Sequence, residues 1–435
     1  MKLFIVLLTG AFMLATGTSD VFAKKKEKVQ TEAKSDTVRT ASKKRNTQYP
    51  RLFKNKRVVT KKGLITIHKI DDKLYFEFPK SLLGREFLMG SSISATSDNT
   101  SGLVGQTMTT PLHIRFAIQE DQVYMQNVTP VSRMDVYSNQ SDISKAVAKS
   151  NITPDMESFK IAAYNMDSTA VVFEVTKFFL ADNKRLPLFD QNSSSLEDEK
   201  YGQLELKAVL KKNLSSIRNF YVFDDNLEIN LDMSFYQSLL ASKKEVRGGN
   251  VRVKAVYSML LLPEETMVWR LGDPRLGYTF TKKQKISTEK DGTAFSYLQH
   301  KWNLLPADEE AYRRGDLVAP RKPVVFYIDS DFPEAWKKAI KEGVNWWNEA
   351  FKMAGFKDAV QTADFPANDT TFYAGNLKYS CIRYVPVNLS KTQSKVWVDP
   401  RSGEIINGTI FVGHDIAKTI ASQRFVQTAQ VDERM

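Results

Sequence analysis

Between Pro323 and Gly355 the apolar positions change their period. Val324 to Ile328 is a continuous apolar run of β-branched and aromatic residues, the pattern of a buried strand. Asp329-Ser330-Asp331 ends it. Trp336, Ile340, Gly343, Trp347, Ala350 and Ala354 then recur at intervals of three and four, which predicts one apolar stripe along a long helix. Lys337, Lys338, Lys341 and Glu349 take its other face. Asp331 and Glu334 have capping-box spacing, and Pro333 suits the first turn. Gly355 is placed as a left-handed C-cap, and Phe356 can pack back on Phe351.

Upstream the period is two. Leu64–Ile70 and Leu74–Phe78 read as strand, Asp-Asp turn, strand, and Arg85–Met89 as a further short strand. Ser91–Gly102 is polar and loop-like. His113–Ile118 and Val123–Val128 form a hairpin around Glu120-Asp121. Ser138–Met156 is weakly helical, Phe159–Tyr164 and Ala170–Phe179 return to β, and Asp190–Lys200 reads as loop. The clearest hairpin joins Ile217–Phe223 to Leu227–Phe235. There Leu227, Ile229 and Leu231 alternate with Glu228, Asn230 and Asp232, predicting one core face and one wet face. Val251–Leu262 is the last long strand. Leu262–Tyr278 is punctuated by Pro and Gly, and Thr281–Ala319 is a charged connection.

Beyond the central helix, Tyr379–Val387 and Val396–Val398 are apolar runs. Asp399–Glu404 is a turn, Ile405–Val412 a strand and Asp415–Val431 a helix. No capping Gly or Pro closes that helix before Met435, which suggests a sequence cut within a domain. The fold class expected is α+β: a β-rich antiparallel N-terminal module followed by an incomplete α/β domain. Its parts are a signal peptide (1–23), a basic disordered tail (24–62), the β-rich module (63–280), a charged connection (281–320) and the α/β start (321–435).

Composition sharpens the two ends. With 435 residues, 42% hydrophobic and 26% charged, the chain can bury a large core. Lys2, the apolar Leu3–Leu14 and the small or branched Val21-Phe22-Ala23 read as a secretory signal cut after Ala23, the alternative being a signal anchor. The product is expected in the periplasm, cell envelope or extracellular space. The net charge of +12 is partly local, because 24–62 is crowded with Lys and Arg. Such a stretch reads as a solvated leader, or else as a tether to an anionic surface. No nucleic-acid partner is expected. The lone Cys381 excludes an internal disulfide and sits in an apolar run, as a buried thiol would.

Catalytic signatures are sparse. His68, His113, His300 and His414 stand far apart in sequence. H-E-x-x-H, C-x-x-C, G-x-S-x-G and a phosphate-binding glycine loop are all missing from the chain. His68 and His113 fall in strands and read as partly buried structural residues. His414, just after a strand, is a cap or a ligand. Asp399 and Glu404 are two carboxylates on one hairpin, the raw material of acid–base work, though turn carboxylates are ordinarily structural.

A set of short segments adds to this. It begins with Gly63–His68, Lys73–Glu77 and Lys80–Arg85. It continues with Leu262–Glu265, Gly272–Tyr278, Val325–Asp329, Trp347–Phe351, Ala354–Phe356 and Val398–Ile405. In this order they resemble a family of exported bacterial zinc-dependent metalloproteases, in which two uncharacterised N-terminal regions precede a metzincin-like domain. The resemblance implies a zinc motif, H-E-x-x-H-x-x-G-x-x-H, following the segment that matches Val426–Met435. This chain stops before it, so no catalytic and no metal-ligating residue is assigned. Zinc is the cofactor of a complete member, and none is expected to bind this chain alone. In such domains the strand before the active helix lines the substrate cleft. Here that is Ile405–Val412, with Thr409, Ile410, Phe411 and Val412 offering backbone groups to an extended peptide. The other reading is an interior strand paired on both sides. The chain is thus expected to be the inactive front portion of a peptidase acting on peptides or proteins. The alternative is a non-catalytic exported β-rich binding module.

Overall fold

A computed structural model describes residues 48–99, 102–129, 134–136, 141–189, 196–198, 200, 202–286, 292–369, 372–387 and 393–428. Residues 1–23, read as a signal peptide, residues 24–47 of the basic stretch, most of the 190–200 stretch read as loop and the expected helix end near Val431 lie outside the described residues. From Arg45 onward the chain forms one compact unit.

Regular structure starts earlier than composition predicts. Residues 48–53 are helical, and Tyr49, Leu52 and Phe53 pack on Ile70 and Tyr75. Strand β1 (Val58–Lys62) pairs antiparallel with β2 (Thr66–Ile70). The disordered tail expected over 24–62 is therefore corrected over 48–62. Exposed lysines are what an edge strand carries, and β1 owes its order to the backbone ladder rather than to buried side chains.

The strands continue with β3 (Lys73–Pro79), β4 (Glu86–Thr96), β5 (Leu112–Gln119), β6 (Gln122–Asn127) and β7 (Met134–Val136). Helix α1 (Ser141–Ser150) follows, then β8 (Asp155–Tyr164), β9 (Ala170–Glu174) and the short helix α2 (Thr176–Phe179). Next come β10 (Leu196–Asp198), β11 (Gly202–Leu210), β12 (Ser216–Val222), β13 (Asn226–Ala241) and β14 (Lys244–Leu261). All of these strands except β7 join one antiparallel sheet, ordered β1-β2-β3-β9-β8-β6-β5-β4-β14-β13-β11-β10, with β12 also on β13. The β-rich expectation holds, and β4 runs on through part of the stretch read as loop.

The sheet curls until its first strands reach β12. The Leu64 amide donates to the Phe223 carbonyl at 2.6 Å, Lys69 Nζ donates to the Ile217 carbonyl, and Lys61 Nζ lies over the Tyr221 ring. Alternation then sorts the side chains. Phe76, Phe78, Phe87, Phe116 and Phe173 point inward into one core, closed by Phe179, Leu186 and Phe189 from the segment after β9. Phe78 and Phe116 lie 4.8 Å apart and Phe159 and Phe173 5.3 Å, tilted as aromatic pairs prefer. Strands β15 (Phe280–Ile286) and β16 (Thr293–Gln299) form a hairpin to which β7 adds in parallel. It falls within residues read as a charged connection.

After a short helix, α3 (Glu309–Arg314), the chain builds an α/β layer: β17 (Val324–Ile328), α4 (Glu334–Met353), β18 (Val360–Asp364), β19 (Ser380–Val385), β20 (Gln393–Val398), β21 (Ile405–Gly413) and α5 (Ile416–Thr428). The strand order is β18-β17-β19-β21-β20. Every pairing is parallel except that of β20 with β21. Helix α4 departs from its expected start. Pro333 is the N-cap and no side chain caps it, because Asp329 rather than Asp331 holds the turn by accepting from the Asp331 amide. Its stripe is also rotated. Trp336, Ile340 and Val344 face the sheet, while Trp347 is 64% exposed. Asn348 takes the inward position, and its amide exchanges two hydrogen bonds with the Val360 backbone. The other end is as expected: Gly355 has φ +86°, and the Phe356 amide donates to the carbonyl of Phe351, on which its ring packs. Among the described residues no helix is long and apolar enough to cross a membrane.

The α/β layer docks on the outside of the curled sheet. Trp397 of β20 is fully buried against Leu88 of β4 and Leu260 of β14, with Leu262 and Leu377 around it. Gly90 makes room, since a Cβ there would lie 3.2 Å from the indole ring. Replacing Trp397 with Ala is expected to destabilise the protein by about 3–5 kcal/mol, measured by urea unfolding. Gly105→Ala should also be costly, because Gly105 has φ +83° and a Cβ would lie 2.3 Å from the Phe411 ring.

Candidate functional site

Strand β21 is interior. β19 pairs with Thr409, Ile410, Phe411 and Val412 on one side, and β20 pairs with Thr409, Ile410 and Phe411 on the other. The expectation that these residues offer free backbone to a peptide is corrected for Thr409, Ile410 and Phe411, whose backbone both ladders use; Val412 pairs with β19. Their side chains divide by parity instead. Ile410 and Val412 face helix α4. Thr409 and Phe411 line a cavity of about 650 Å³ between the α/β layer and the outer face of β4, β14 and β13.

Three charged side chains reach this cavity. Lys395 of β20 lies opposite Thr409, and Arg383 of β19 opposite Phe411, so both share the cavity face of the sheet. Glu228 comes from β13 across the gap. Its carboxylate accepts from the Tyr373 hydroxyl at 2.5 Å and from Asn230 Nδ2 at 2.9 Å. Tyr373 stacks on Tyr221 with centroids 4.2 Å apart, and burial followed by the Glu228 charge pushes its phenol upward. Lys395 is 9% exposed and donates to Ser92 Oγ at 3.3 Å, with its ammonium 5.1 Å from the Trp397 ring centre. Burial lowers this amine to about 8, against the opposing pull of Glu228. Arg383 has its Cζ over the Phe411 ring, and its Nε is buried with no hydrogen-bond partner among the described residues. The arrangement suits recognition of an anion.

The sequence did not single out Lys395, Arg383 or Glu228. A signal existed for the first: in Lys395-Val396-Trp397, strand parity puts the lysine on the face of the tryptophan, and a strand tryptophan is ordinarily buried. Glu228 was read as wet because its neighbours on that face are polar, but the loop through Tyr373 covers it.

The four histidines stay dispersed. His68 is held between Thr60 Oγ1 and Glu77, as a structural residue would be. His113 Nε2 bonds Glu86 at 2.9 Å, while its buried Nδ1 has no partner. Burial raises Glu86, but the bond and charge of His113, with Arg401 and Arg115 beyond, outweigh this and hold it below its ordinary value. His300 bonds Thr281 and is lowered by burial. It shares with His113 a second, more apolar cavity of about 760 Å³. His414 Nδ1 contacts the Tyr384 hydroxyl at 2.5 Å, and its ring stacks on Trp336. Asp399 is fully buried and chelated by the Arg401 side chain, whose Nη2 also donates to the Pro263 carbonyl, so the turn is tied to the seam. Burial raises Glu404. Cys381 is fully buried, and burial pushes its thiol up to about 12. Among the described residues no group of three or more His, Cys, Asp or Glu side chains is placed to hold a metal ion.

Residues 105–307 match a domain of unknown function, DUF5117, and residues 47–96 match a second, DUF5118. No curated protein and no solved structure matches the chain.

Lys395 makes stability depend on pH. Its folded value lies below the 10.5 of a free lysine. Below about pH 8 both states carry the proton, and the folded state bears the full cost of a buried ammonium. As pH rises beyond that, the unfolded chain binds more protons, so stability increases. Relative to Lys395→Met, the wild type should therefore gain roughly 2–3 kcal/mol between pH 7 and pH 10, read from urea unfolding at both.

Proposed function

We propose that this chain is the front, non-catalytic portion of an exported zinc-dependent peptidase, and that alone it cleaves no peptide bond. The observation that carries the reading is unburied apolar surface on the two long helices of the α/β layer. Trp346 is 76% exposed on α4, and Val426 is 77% exposed on α5, beside Ile420 and Phe425. Side chains of this size are ordinarily covered, and clusters of them mark surfaces that pack against something further. The order also supports it: two regions matching domains of unknown function lie ahead of an α/β layer. Export rests on the apolar segment within 1–23.

The described residues do not fit a catalytic zinc, which takes about three protein ligands and a water. The only histidine near the end of β21 is His414, and it is engaged with Tyr384 and Trp336. No metal-dependent step is assigned to these side chains. A second reading, a stand-alone exported binding module, draws on the cavity around Lys395 and Glu228.

Two measurements decide. Reading the coding sequence past Met435 should give H-E-x-x-H in frame within a few dozen codons, and unrelated sequence there would overturn the peptidase reading. Incubation of the chain with zinc and an unfolded protein should give no cleavage. Proteolysis abolished by a chelator would show the metal site to be complete.

A further inference from the structure

We propose that the cavity between β13 and the β19-β21-β20 face binds a carboxylate with an apolar, largely aromatic body. The inference does not rest on the peptidase reading. Register puts Arg383 and Lys395 on the same face of the sheet, flanking β21, and both line the cavity. Neither makes an ion pair among the described residues. Lys395 is nine-tenths buried, yet among the described residues its ammonium, with three protons to donate, has the single hydroxyl of Ser92 as hydrogen-bond partner. The guanidinium of Arg383 has a buried Nε with no acceptor among the described residues. Buried donors without acceptors are costly, and burying a cation without an anion more so.

The carboxylate already on the wall relieves this only in part: Glu228 attracts the Lys395 ammonium but forms no ion pair with it among the described residues. Glu228 is engaged by Tyr373 and Asn230. The wall thus carries two cations against one committed anion, and a ligand carboxylate supplies the missing charge and acceptor oxygens. The remaining lining selects the body of the ligand: among polar residues such as Ser94, Asn99 and Ser258, the side chains of Phe365, Phe372, Phe411, Val256 and Val387 supply apolar and aromatic faces. About 650 Å³ is a common size for a small-molecule site. Two sources share this chemistry: a free aryl or alkyl carboxylic acid, and the C-terminal carboxylate of a peptide ending in an apolar residue.

Calorimetric titration of the full chain with hydrocinnamate and with N-acetyl-alanyl-phenylalanine, each beside its amide, tests the proposal. At least one acid should bind saturably, and its amide at least about tenfold more weakly, as expected for loss of a charge-assisted contact. Binding of hydrocinnamate alone assigns the free acid, and binding of the peptide alone assigns a chain terminus. Arg383→Gln and Lys395→Met should each weaken the acid by about tenfold while leaving the amide unchanged, whereas a misfolded variant would weaken both. Equal affinity for acid and amide, or no saturable binding of either acid at millimolar concentration, overturns the proposal.

Discussion

The seam on which the molecule depends is made by one indole ring. Trp397 is driven into the outer face of the curled sheet between Leu88 and Leu260, and Gly90 provides the space. A tryptophan buries a large apolar area, so this contact supplies much of the attraction between the two layers. Polar ties hold the register around it. Asn226 exchanges hydrogen bonds with Asn376 and the Leu377 amide, and Asn407 donates to the Leu377 and Tyr379 carbonyls. Arg401 joins the β20–β21 turn to Glu86 and, through it, to His113. Apolar contact gives adhesion, and the directional bonds choose one docking geometry.

Docking converts an ordinary wet sheet face into an enclosed one. Glu228, Asn230 and Ser92 would meet water if the curled sheet stood alone. Covered by the loop through Tyr373 and by β20, they become walls of a cavity, and Lys395 becomes a cation in a poor dielectric. The displacement of its amine toward neutrality is a consequence of that covering and of nothing in its immediate sequence. The chemistry of the site is thus a product of the seam.

The interior of the curled sheet follows a simpler logic. Inward phenylalanines fill it from several strands, and the segment after β9 plugs it with Phe179, Leu186 and Phe189. No disulfide supports it, and Cys381 is a buried thiol in the other layer. The exposed apolar residues of α4 and α5 contrast with this economy.

Local chemistry was enough for the strands whose alternation it marked, for the end of α4 and for the buried state of Cys381, but it did not mark β11, β15, β16 or β18. Period-two alternation and a left-handed glycine act over a few residues, and neither needs distant partners. It was also enough to place His68 and His113 inside strands. It failed wherever a distant segment set the environment. Residues 48–62 looked like a tail, because backbone pairing with β2 leaves no mark on composition. Trp347 was read as core, but Asn348 displaced it to satisfy the Val360 backbone. Whether β21 lay at an edge, and whether Glu228 met water, depended on what packs beside them, and those neighbours lie well over a hundred residues away for Glu228. Side-chain period encodes which face a residue takes; what covers that face is a property of the folded chain.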